Sequence, residues 1–176
     1  MIDHRQCTCP CRRCQDVATS AGWSAVITAE PPLGAHLVTP RRGYSHHGIY
    51  VGDGKVVHYA GLSGSLGGGS VAELSIVDFA AGREVWVKPV CYAKYGGLDA
   101  IRRARSRIGE RRYRLLTNNC EHFCSWCLFG QSRSEQVRQC FVHPSRAIHT
   151  ALILIRERLE ARLKVSLRFG RNACID

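Results

Sequence analysis

Residues 44–61 read YSHHGIYVGDGKVVHYAG. Two runs rich in β-branched and aromatic residues flank Gly52-Asp53-Gly54, a pattern that predicts a β-hairpin. Along the first strand, alternation separates His46, Gly48 and Tyr50 from His47, Ile49 and Val51. The second set holds two β-branched apolar residues and reads as core-facing. The first holds a glycine, which leaves room for a substrate or another chain segment, so His46 is the cleft residue of the pair. The side of His58 depends on the turn. A two-residue turn at Asp53-Gly54 places it with His47. A three-residue loop with Gly54 left-handed places it opposite Gly48, on the face of His46. Both registers stay open on the sequence.

Outward from the hairpin, GAHLVTP (34–40), EVWVKPV (84–90) and YRLL (113–116) read as strands. GLDAIRRARSRIGE (97–110) reads as a helix with Leu98, Ile101, Ala104 and Ile108 on one face. CEHFCSWCLFG reads as a helix closed by Gly130. A further helix covers 135–141. After Pro144 a long helix runs to about Leu167, with an apolar stripe of Ile148, Leu152, Ile155, Leu159 and Leu163 and a basic remainder. The glycine-rich loop 61–70 lacks the Gly-Lys-Ser/Thr ending that grips phosphate.

The 176 residues point to one domain with a short appendage, and 45% hydrophobic content provides for a core. The net charge of +11 favours anionic partners: nucleic acid, an anionic membrane surface or acidic small molecules. No apolar run approaches the ~18 residues needed to span a bilayer. The N-terminus, MIDHRQCTCPCRRC, reads without a secretory leader, so the ten cysteines are expected to be reduced, in a cytoplasm-like compartment.

NNCEHFCSWC (118–127) concentrates three cysteines. Their C-x3-C-x2-C spacing matches an iron–sulfur motif, but the chain is too short for the barrel that such enzymes build after it. Zinc needs ligands converging from several directions, and one helix presents these thiols in a row. Cys124 and Cys127 lie among aromatic and apolar neighbours and read as core. Cys120 opens the helix behind Asn118 and Asn119, which can cap it. There the unpaired amides and the helix dipole favour a thiolate and can hold an oxyanion. Such a thiol becomes a nucleophile when a base is near. Among the histidines, His4, His36, His143 and His149 read as bland and His122 as structural. That leaves His46, with His58 beside it in the three-residue register.

HHGIYVGDGKVVHYAG followed by LLTNNCEHFCSWCLFGQSRSEQV resembles the lecithin:retinol acyltransferase family, which includes the H-Ras-like suppressor phospholipases and acyltransferases and many bacterial members. The resemblance covers about residues 33–138. It implies an α+β, circularly permuted papain-like (NlpC-type) fold: a small antiparallel sheet with helices packed on it, plus a C-terminal helix. The domains are then a Cys-rich tail over 1–30, a catalytic domain over 31–140 and a basic amphipathic helix over 141–176. The resemblance implies Cys120 as nucleophile, His46 as its base and His58 as the residue that orients His46. It implies no cofactor and no metal. It also implies acyl transfer through a Cys120 thioester, with a glycerophospholipid as donor and an alcohol, amine or water as acceptor. The position after the first histidine, often aromatic in the family, is His47 here.

The Cys7, Cys9, Cys11 and Cys14 group is foreign to that pattern, and the basic C-terminal helix replaces the hydrophobic segment of the best-known animal members. That helix either docks its stripe on the domain or a second copy, the expectation adopted here, or lies on an anionic membrane surface. Two other functions compete. One is a cysteine amidase or peptidase of the wider superfamily. The other is a non-catalytic membrane or nucleic-acid binding module, although the basic residues are dispersed and no nucleic-acid motif accompanies them. The sequence leaves the oligomeric state open.

Overall fold

The computed structural model describes residues 24–25, 30–61, 69–90, 92–143, 145, 148, 151–153, 155–156 and 159–160. Among the described residues, six strands form one antiparallel sheet: β1 (Ser24–Ala25), β2 (His36–Arg41), β3 (Tyr44–Gly52), β4 (Lys55–Tyr59), β5 (Val71–Ser75) and β6 (Trp86–Val87), in the order β1-β6-β2-β3-β4-β5. Helices α1 (Ile76–Ala80), α2 (Gly97–Arg105), α3 (Cys120–Phe129) and α4 (Glu135–Val142) accompany them. The chain is thus α+β with a small antiparallel sheet, as expected.

The hairpin β3–β4 settles the open register in a way that neither expected turn describes. The loop has two residues, Asp53 and Gly54, both at positive φ (51° and 65°). That turn alone would have put His58 on the face of His47. A bulge between Tyr50 and Gly52 inserts one residue into β3 and reverses the parity, so His58 pairs with Gly48. The Tyr50 hydroxyl braces the turn by accepting from Gly54 N–H at 3.0 Å.

Each face of the sheet carries its own core. On one, Ile49, Val51, Val57 and Tyr59 pack against α2 and α3 through Ala100, Ile101, Phe123 and Cys124. On the other, Leu37, Tyr50 and Val56 pack against Phe79 of α1 and Val85. Cys124 and Cys127 are fully buried, as read. The apolar face expected for 97–110 is only half used. The helix ends at Arg105, Ala100 joins Ile101 and Ala104 inside, and Leu98 and Ile108 are exposed.

Other expectations change. EVWVKPV contributes only Trp86–Val87 to the sheet, and YRLL forms only an isolated bridge from Arg114 to Asn118. Strand β5 and helix α1, from a stretch with no clear period, were not anticipated. The segment 1–30 is not wholly a tail: Ser24–Ala25 pairs with β6, and Glu30 accepts a hydrogen bond from Tyr50 Oη at 2.6 Å. Cys7, Cys9, Cys11 and Cys14 lie outside the described residues, as do His4, His149 and Leu163. The described residues after Pro144 are helical, but the stripe does not dock on the domain. Ile148, Leu152, Ile155 and Leu159 are between 55% and 62% exposed. It is Ile153 that approaches the domain, beside Gly43.

Candidate active site

Cys120 opens α3, and Asn119 caps it. Asn119 Oδ1 accepts from the backbone N–H groups of Glu121 and His122, each at 3.0 Å. In return His122 Nδ1 accepts from Asn119 N–H at 3.4 Å, a reciprocal capping box with histidine in the usual glutamate position. His122 is structural, as read. The cap changes one expectation, because two of the helix-start amides serve Asn119 and are not free for an oxyanion.

The Cys120 thiol is 2% exposed, and its Sγ lies 4.0 Å from the Ser45 carbonyl oxygen, toward which the weak S–H donor points. Burial pushes its pKa up to about 12, although a hydrogen bond from the His47 backbone N–H draws it down. This corrects the expectation of a readily formed thiolate: desolvation of the charged form outweighs the helix-start field. The resting residue is a thiol and needs a base to act.

Two histidine pairs flank this point of β3. His46 Nε2 and His58 Nδ1 are 2.7 Å apart, on the face of Gly48. The space beside Gly48, expected to admit a substrate, is filled by Phe79. A Cβ at Gly48 would meet Phe79 Cε2 at 3.0 Å and Val56 Cγ1 at 2.4 Å. Phe79 also stacks on His46, with centroids 5.2 Å apart. Arg41 holds α1 there by donating to Phe79 O at 2.6 Å and Ala80 O at 3.2 Å. Among the described residues, His46 Nδ1 is the buried side-chain nitrogen that has no hydrogen-bond partner. Burial, then His58 and Arg41, hold His46 well below the ordinary imidazole value. Burial and Arg41 bring His58 to about 4. Both rings are neutral at pH 7.

On the other face, His36 Nε2 and His47 Nδ1 are 2.8 Å apart. Burial lowers His47 to about 4 and His36 well below the usual range. A cavity of about 590 Å³ opens here. Ser45, His47, Cys120, Glu121 and Gln136 form its polar wall, and Leu115, Leu116 and Val137 contribute apolar lining. The cleft expected at His46 is lined by His47 instead, because α3 packs on the face of β3 that His47 shares with Ile49 and Val51.

A buried polar network completes the wall. Glu121 accepts from Lys88 Nζ and Gln136 N–H, each at 2.9 Å, and from Ser134 Oγ–H at 2.7 Å. Burial alone would raise the Glu121 carboxyl. His47, Lys88 and these donors bring it down to about 2, so it stays ionised. Among the described residues, no group of three His, Cys, Asp or Glu is placed to hold a metal ion. Sequence reasoning missed His36, Lys88, Glu121 and Gln136. Only His36 left a signal, as the same-face diagonal neighbour of His47 across an antiparallel pair.

The family model for lecithin retinol acyltransferase matches residues 29–133. The chain is 35% identical over 129 residues to phospholipase A and acyltransferase 2 of Homo sapiens, covering 64% of this chain and 80% of that one. It is 30% identical over 142 residues to phospholipase A and acyltransferase 4 of Homo sapiens, covering 72% and 87%. It is 32% identical over 127 residues to lecithin retinol acyltransferase of Bos taurus, covering 57% and 55%. With these matches, the chain belongs to the lecithin retinol acyltransferase family.

Proposed function

We propose that this chain is an acyltransferase or phospholipase A-type enzyme that moves the acyl chains of glycerophospholipids through a thioester on Cys120, within a permuted papain-like fold. The names of its relatives support lipid acyl transfer. The observation that carries the mechanism is the approach of the Cys120 thiol to β3 at the Ser45 carbonyl, 4.0 Å away and one residue before His46, together with a His46 Nδ1 that has no hydrogen-bond partner. In this reading His46 Nδ1 takes the Cys120 proton, and His58 holds the opposite side of the ring. The thiolate attacks the donor ester carbonyl, the lysolipid oxygen leaves with a proton, and the thioester remains. An alcohol, amine or water then accepts the acyl group. No cofactor enters these steps.

The mostly apolar cavity suits an acyl chain. Its Ala151 belongs to the segment whose stripe of Ile148, Leu152, Ile155 and Leu159 is exposed. No helix among the described residues is long and apolar enough to cross a membrane. We read this segment as lying on an anionic membrane surface in a reducing, cytoplasmic setting, bringing the cavity to its lipid.

The test incubates wild type and Cys120→Ala with phospholipid vesicles, and separately with peptides. Lipid loss with wild type alone is the expected result. Cleaved peptide beside intact lipid would put the amidase or peptidase reading in its place.

A further inference from the structure

In the thioester mechanism His46 and His58 move and steady the proton, and His36, His47 and Gln136 take no part. Yet His47 is the histidine that shares the cavity with Cys120. An acyl acceptor entering by that cavity reaches the thioester past His47. The ring is set up as a base. Ser45 N–H donates to Gln136 Oε1 at 2.8 Å, which turns the amide nitrogen of Gln136 toward Ser45 O at 3.1 Å and His47 Nε2 at 2.9 Å. Nε2 of His47 is therefore an acceptor, and its Nδ1 carries the proton and donates to His36 Nε2. Burial holds the His47 ring down; ionised Glu121, which shares the cavity wall, favours the imidazolium that would form, and Lys88, paired with Glu121 at 2.9 Å, partly offsets it.

We propose that His47, oriented by His36, is a second catalytic histidine, the general base for the acyl acceptor, acting from the cavity while His46 serves the thiol from the opposite face. This rests on the Cys120 thioester. An incoming hydroxyl or water replaces the Gln136 N–H at His47 Nε2. Its O–H bond breaks and the proton passes to Nε2 while the oxygen bonds to the thioester carbon. The C–S bond then breaks with its electron pair on sulfur, and the imidazolium returns the proton to Cys120. The proton lost by the acceptor ends on the thiol, and nothing is oxidised.

The test loads full-length protein with acyl chain from phospholipid vesicles, removes the vesicles and follows the adduct by intact mass. In His47→Phe the adduct should still form, its formation slowed far less than its discharge. Its discharge to water or a simple alcohol should slow by about 100-fold or more, the usual contribution of a general base. Hydroxylamine, which attacks thioesters without a base, should discharge both proteins equally, and a packing defect would not produce that selectivity. His36→Leu should slow discharge less. Circular dichroism checks the fold, and His47→Gln replaces His47→Phe if the latter does not fold. Equal discharge to water in the variant overturns the proposal and leaves the thioester standing. Loss of adduct formation in a folded variant makes His47 the base for the thiol and overturns the division of labour. Absence of any adduct on wild type defeats the thioester reading and this inference with it.

Discussion

The pairs His46–His58 and His36–His47 are built alike and situated differently. Each is a ring-to-ring contact between neighbouring strands, at 2.7 and 2.8 Å, and each is buried and neutral. His46 lies beneath Phe79 with Nδ1 unpartnered, whereas His47 faces the cavity with Nε2 engaged by Gln136. Pairing by itself does not assign a histidine its role. What assigns it is the nitrogen left over, and what that nitrogen meets.

The largest effect separates the two pairs directly. His46→Asn is expected to slow acylation of Cys120 by 10²- to 10⁴-fold in a rapid-quench assay, while His47→Asn slows that phase far less. Equal losses would erase the distinction.

Acid stability probes what the pairs share. All four imidazoles are held below their ordinary value, His47 and His58 at about 4. The unfolded chain therefore binds more protons than the fold between pH 6.5 and 4. Stability is fully present above 6.5 and falls as pH drops through that window. Urea titrations across this range check it. The double variant His36→Leu/His47→Phe should remove roughly half of the acid sensitivity if each pair carries its share.

A smaller effect loads one face only. Gly48→Ala drives a methyl group into Val56 and Phe79. It should cost about 1–3 kcal/mol in thermal unfolding and slow acylation more than discharge, because His36 and His47 lie across the sheet. The smallest effect falls outside both pairs, on the cap of the cysteine helix. Asn119→Ala removes the cap of α3 and should cost about 1 kcal/mol, slowing both phases alike by shifting Cys120.

The hairpin, the cysteine helix with its Asn119 cap and Gly130 stop, and the buried Cys124 and Cys127 were legible because each signal is contiguous in sequence. The facing of His58 was not, because a one-residue bulge outweighs the turn in setting parity. Helix α1 left no periodic signal in its five residues, so the burial of His46 under Phe79 could not be foreseen. Gln136 fell within a correctly expected helix, but its bonds to Ser45 and His47 span about ninety residues of chain and exist only in the folded protein. The helix-start field at Cys120 does favour a thiolate. Burial, a tertiary property, reversed its outcome.

The most direct test of the central claim is to quench wild type during turnover of phospholipid, digest it and locate the acyl group by peptide mass. The account predicts a hydroxylamine-labile acyl chain on Cys120. An acyl chain on Cys140 or another residue, or steady lipid turnover with no labile adduct at any quench time, would contradict it.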